Sequence, residues 1–145
     1  MENKTIHSTL SDGEFLKQLN ACSLHPSYFD HEGHLRLAWL NLRSSGTGKG
    51  IELTVDQISR FVAHLGATDK FNLTLTVAAV HIVHHFFRRS EVDSFPGFLK
   101  EFPQLKTDFK SLVQQHYSPE ILWSEVAKRE FVSPDLAPFQ GGSGC

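Results

Sequence analysis

The stretch Phe29-Asp30-His31-Glu32-Gly33-His34-Leu35-Arg36-Leu37-Ala38-Trp39-Leu40-Asn41-Leu42-Arg43 decides the fold. Asp30 is a natural N-cap, because its carboxylate can accept from the free backbone N–H groups of a first helical turn. At 100° per residue, His31, Leu35, Ala38 and Leu42 fall within about 60° of one another, with His34 and Asn41 at their flanks. Glu32, Arg36 and Arg43 gather on another side. The pattern predicts a helix from Asp30 to about Arg43 that turns both histidines into or along a core.

Working outward, Phe15, Leu16 and Leu19 share one side of the segment from Ser11 to Asn20, where Ser11 and Glu14 are spaced as in a capping box. A short first helix is expected there, then a loop through His25-Pro26, since a residue before proline is pushed out of the helical region. Ser44 to Gly50 is glycine-rich and reads as a loop. Its Gly46-Thr47-Gly48-Lys49-Gly50 core lacks the spaced first glycine and the hydroxyl residue after lysine that a phosphate-binding loop requires. Val55, Ile58, Phe61, Val62 and Leu65 then form an amphipathic third helix closed by Gly66.

The segment from about Asn72 to Arg89 is apolar over most of its circumference, as a central helix would be. Thr74, His81, His85 and Arg88 share its polar strip, while His84 sits closer to the stripe of Leu73, Val77, Val80 and Phe87. Ser94-Phe95-Pro96-Gly97 opens a short helix toward Phe102, and Pro103 interrupts it. Leu105, Phe109, Leu112 and Val113 continue a sixth helix to about His116. Ser118-Pro119-Glu120 starts a last one, expected to reach about Glu130. Phe131 to Phe139, with Pro134 and Pro138, reads as an extended tail laid across the bundle.

The expected fold is therefore all-α: a compact single-domain bundle of about six to seven helices over residues 1–140, with an extended C-terminal tail. A chain of 145 residues that is 40% hydrophobic has enough apolar content for one real core. Gly141-Gly142-Ser143-Gly144-Cys145 reads as an appended linker ending in a thiol, outside the fold. Cys22 and Cys145 give no disulfide framework. A net charge of −2 argues against nucleic acid and against a polybasic membrane anchor as partners. No apolar run approaches the ~20 residues of a membrane span, and Met1 to Ile6 lack a signal-peptide layout. A cytoplasmic protein is expected, with a small molecule or a second copy of the chain as the partners left open.

Chemistry concentrates on histidine. His31 and His34, one helical turn apart, project from the same side of a helix, which is how bundle cores hold metal ions. With a third ligand from His81, His84 or His85 on a facing helix, His84 foremost, they would form a site for zinc, iron or manganese acting as a Lewis acid or activating water. Without metal, the pair can perform acid–base work or simply satisfy backbone carbonyls. Two familiar layouts are absent: no Glu is followed three residues later by His, and Leu35 stands where the second histidine of His-Glu-x-x-His belongs. There is no nucleophile elbow around any serine. Trp39 and Trp123, with neighbouring phenylalanines such as Phe71 and Phe98, are candidates to line an apolar pocket whose polar contacts come from Thr74 and His81. Two functions stay open: a metal-dependent enzyme acting on a small molecule, and a non-catalytic module that binds a small ligand or a protein.

The blocks His31-Glu32-Gly33-His34-Leu35-Arg36-Leu37-Ala38-Trp39, Lys70-Phe71-Asn72-Leu73-Thr74-Leu75-Thr76 and Tyr117-Ser118-Pro119-Glu120, with Phe131-Val132-Ser133-Pro134-Asp135-Leu136, resemble a family of small bacterial helical proteins of no assigned function. The resemblance covers Phe29 to Leu136. It implies a second block of the form Lys-Tyr-His followed by Thr-x-Thr, hence a third histidine beside the pair. This chain departs there: Phe71 replaces the tyrosine and Asn72 the histidine. The resemblance thus adds Asn72 to the candidate ligand-binding residues.

Overall fold

The computed structural model describes residues 6–139, so the linker reading of 141–145 lies outside the described residues. Among them there is no strand, and no helix is long and apolar enough to cross a membrane. Ser11 caps α1 (Asp12–Asn20) by accepting from the Glu14 amide, as the capping-box spacing predicts. Asp30 Oδ1 accepts from the Gly33 N–H at 2.8 Å and opens α2 (His31–His64).

The glycine-rich stretch is not a loop. Only Gly46 leaves helical geometry, at φ 80° and ψ −178°, a conformation that favours glycine. There the chain folds back, so α2 is two arms, 31–45 and 47–64, packed side by side. Asn41 Nδ2 donates to Thr54 Oγ1 at 2.9 Å and to Gln57 Oε1 at 2.8 Å. In a straight helix residues 41 and 57 would stand about 24 Å apart. The arms approach closely because Gly50 carries no side chain: a Cβ on it would lie 3.4 Å from the Asn41 backbone. Sequence composition marks these glycines as breakers, but Gly46 makes the reversal and Gly50 lets the two helices touch.

The side of α2 that gathers Glu32 and Arg36 is covered by the N-terminal segment, and Arg36 is 6% exposed. Its guanidinium donates to Asp12 Oδ1, to the His7 carbonyl at 2.7 Å and to the Leu10 carbonyl at 2.8 Å, and it lies 4.8 Å from the Phe15 ring centroid. Residues 7–20 cover that face of α2, and the charge is tolerated because every direction of the fork meets an acceptor.

The central helix is α3 (Leu73–Phe87), capped by Asn72. It packs on α2, and Leu37, Ala38, Val80 and Val83 are buried where they meet. Then come α4 (Phe95–Glu101), α5 (Gln104–Thr107), α6 (Phe109–Gln114), α7 (Pro119–Leu122) and α8 (Glu125–Arg129). The expected sixth helix is broken at Asp108. The expected last helix breaks at Trp123, where Ser124 recaps the chain by accepting from the Ala127 N–H at 3.2 Å. Eight α-helices result among the described residues, and the all-α bundle is the observed fold.

The tail does lie across the bundle. Thr74 Oγ1 donates to the Glu130 carbonyl at 2.8 Å and accepts from the Val132 N–H at 3.1 Å. Tyr117 OH donates to the Val132 carbonyl, and the Leu136 N–H reaches the His116 carbonyl at 3.0 Å. Phe139 ends the described chain stacked on His81, ring centroids 4.4 Å apart and planes 7° from parallel.

Candidate functional site

Between the two arms of α2, the face of α3 and the short helices α5 to α7 lies a cavity of about 610 Å³. Its walls are apolar: Leu35 and Ala38 from the first arm, Ile58 and Val62 from the second, Leu75 and Ala79 from α3. Phe109, Val113 and Leu122 close the remaining side. His31 and His34 line it together, so the helix phase read from the sequence brings both imidazoles to one space.

The local sequence explains their orientation. Gly33, between them, sits where a Cβ would be 2.9 Å from the Tyr28 carbonyl, so glycine lets the preceding turn press against the helix start. That turn carries Phe29, which stacks on the His34 ring at 3.9 Å between centroids. His34 Nδ1 lies 2.8 Å from the Asp30 carbonyl, and His31 Nε2 lies 3.0 Å from the Leu105 carbonyl. A carbonyl only accepts, so these nitrogens carry the protons. In the neutral rings the free lone pairs are then on His34 Nε2 and His31 Nδ1. His34 keeps accessible surface where it lines the cavity, but its ring is packed against Phe29. This desolvation lowers its pKa below the usual 6.5, the Asp30 carbonyl opposes the shift, and His31 lowers it further. The lowered pKa favours the neutral ring, whose Nε2 can accept a hydrogen bond.

The other sequence-derived candidates separate. Asn72 lines the cavity, but both ends of its amide are engaged: Oδ1 caps α3 and Nδ2 donates to the Leu122 carbonyl at 2.9 Å. It fixes α7 against α3. Trp123 stands at the cavity, 61% exposed. Trp39 does not reach it; at 1% exposure it is a core residue among Phe87, Phe95 and Phe98, with the Arg43 guanidinium 5.1 Å from its ring centroid. Its aromatic character is spent on packing. Thr74, 0% exposed, is consumed by the tail and is no ligand contact in this arrangement.

His81 faces a second, smaller cavity of about 120 Å³ with His85, His116 and Phe139. Burial lowers its pKa, and the charges of His84 and His116 add to the effect. His84 lines neither cavity, and its pKa is lowered by burial and by Arg88. The set His31, His34 and His84 therefore does not assemble: among the described residues no three His, Cys, Asp or Glu side chains are placed to hold a metal ion. Helix phase puts His84 on another side of α3. What the site offers is two imidazole lone pairs, one donor fewer than catalytic zinc usually takes from protein.

Sequence periodicity missed the charged part of the lining. Lys70, Lys106, Lys110 and Asp108 all border the large cavity. Lys106 Nζ pairs with Glu32 Oε2 at 2.8 Å, and Glu32 Oε1 also meets His7 Nε2 at 2.9 Å. Lys70 ends a turn, and Lys106, Asp108 and Lys110 flank the break in the expected sixth helix, so the phase of one continuous helix did not place them on the cavity. No protein-family model, curated protein or solved structure matches this chain.

Proposed function

We propose that this chain binds a small, largely apolar molecule in the cavity beside His31 and His34, and that the two imidazoles accept hydrogen bonds from it. The observation that carries this reading is one apolar space of about 610 Å³ into which two histidines with fixed tautomers turn. That volume is typical of small-molecule sites, where apolar walls supply affinity and a few placed polar groups set orientation. Binding without chemistry is favoured over metal-dependent catalysis because the third ligand expected for a metal is not at hand.

The test is titration of the full chain with the neutral fluorophore N-phenyl-1-naphthylamine. Saturable one-to-one enhancement is expected, and Ala79→Phe, which places a ring in the cavity, should abolish it while circular dichroism stays native. In competition, 1-naphthol should bind roughly fivefold to tenfold more tightly than 1-methoxynaphthalene, because one hydrogen bond is worth about 1 kcal/mol. His34→Leu should erase that preference. Absence of saturable enhancement, or unchanged affinity in Ala79→Phe, overturns the proposal.

A further inference from the structure

We infer that the molecule this cavity takes is an apolar anion, its acidic group held at the mouth by Lys70 and Lys110. The inference rests on the cavity reading above and adds the charge of the ligand. Three lysines line the cavity, Lys70, Lys106 and Lys110, against one acidic residue, Asp108. The chain as a whole is acidic, at −2, so the positive lining runs against the average surface.

The three lysines are not equivalent. Lys106 is already held by Glu32. Among the described residues, Lys70 and Lys110 pair with no carboxylate. They reach the cavity from separate elements, Lys70 from the turn before α3 and Lys110 from the first turn of α6. A lysine stem can lie along apolar wall while its ammonium stays in water. Two such side chains on one cavity offer two charges to an acidic head whose body lies against the apolar wall. The histidine end of the site does not compete for the acidic group, since His34 Nδ1 and His31 Nε2 are already held by the Asp30 and Leu105 carbonyls. An apolar cation would meet two uncompensated ammoniums, and a neutral molecule would leave them unused. The volume suits one chain or ring system.

The experiment displaces N-phenyl-1-naphthylamine from the full chain with four ten-carbon ligands: decanoate, decyl phosphate, decan-1-ol and decyltrimethylammonium. At low ionic strength at least one of the two anions should displace the probe about tenfold more tightly than decan-1-ol, as two exposed charge contacts would give. The ratio of decanoate to decyl phosphate identifies the head group. At about 1 M salt, where the screening length is about 3 Å, the preference should collapse. Lys70→Gln with Lys110→Gln should bring the anions to the level of decan-1-ol, each affinity being taken relative to the probe's own in the same variant. Probe binding with no preference for either anion, a preference for the cation, or a preference that survives the double substitution each overturns the inference while sparing the cavity. Failure of the probe to bind overturns both readings.

Discussion

Replacing Gly33 with alanine tests the geometry that holds the histidine pair. The added Cβ would lie 2.9 Å from the Tyr28 carbonyl oxygen and 3.4 Å from both Asp30 Oδ1 and Phe29 Cδ1. The first neighbour is backbone, so relief requires the turn at 28–30 to shift by a few tenths of an ångström. That shift carries the Asp30 cap and the Phe29–His34 stack with it. Alanine gains up to about 1 kcal/mol over glycine in a helix, but overpacking costs about 1–3 kcal/mol and a weakened cap about 1 kcal/mol more. The expected net is a loss of about 1–2 kcal/mol in urea denaturation followed by circular dichroism. Gly13→Ala is the control: nothing lies within 4 Å of its would-be Cβ, and a gain of about 0.5 kcal/mol is expected. A Gly33→Ala protein as stable as the parent would refute the claim that this close approach requires glycine.

Three further outcomes follow from the packing. Asn41→Leu removes the donor to Thr54 and Gln57 and leaves the buried Gln57 Oε1 without one; a loss of about 2–3 kcal/mol is expected by urea denaturation, partly restored by adding Gln57→Leu, and a loss under about 0.5 kcal/mol would count against it. Tyr117→Phe frees the Val132 carbonyl and should speed proteolytic nicking of the tail after Glu130; unchanged cleavage would show that the strap is held elsewhere. For pH, the folded state lowers the pKa of His34, His81, His84 and His85, so the unfolded chain binds more protons. Their contribution is complete above the unfolded value near 6.5 and is lost as pH falls below it. Tm should therefore drop between about pH 7 and pH 5.5, less steeply in His81→Gln, and a flat profile would refute the assignment.

The sequence exposes what is local. Ser11, Asp30, Ser94 and Ser118 can be read as caps because each makes its contact within three residues. Helix phase brings His31 and His34 to one face for the same reason. Contacts between distant segments are hidden. Arg36 has the composition of a surface residue, and nothing within its own helix announces that His7, Leu10 and Asp12 will cover it. Lys70 and Lys110 join one cavity from segments 40 residues apart, and periodicity reports on one element at a time. Trp39 and Trp123 share a side-chain type, yet one is core and the other is exposed, a difference set by which helix covers each. The Gly46 reversal misleads for another reason: glycine marks both a flexible connector and a close helix crossing, and only the partner arm distinguishes them.

The cavity wall facing the histidines is built from α5, α6 and α7, of four, six and four residues. Helices that short have almost no stability of their own, so they hold shape only while docked. The wall should therefore open locally at a lower free energy than the long arms of α2. A molecule wider than the mouth would enter by transient release of 104–122 rather than through a rigid channel. Amide exchange should run faster there than over 35–42, and a bound ligand should slow it selectively, making residence time a property of three small helices rather than of the histidines.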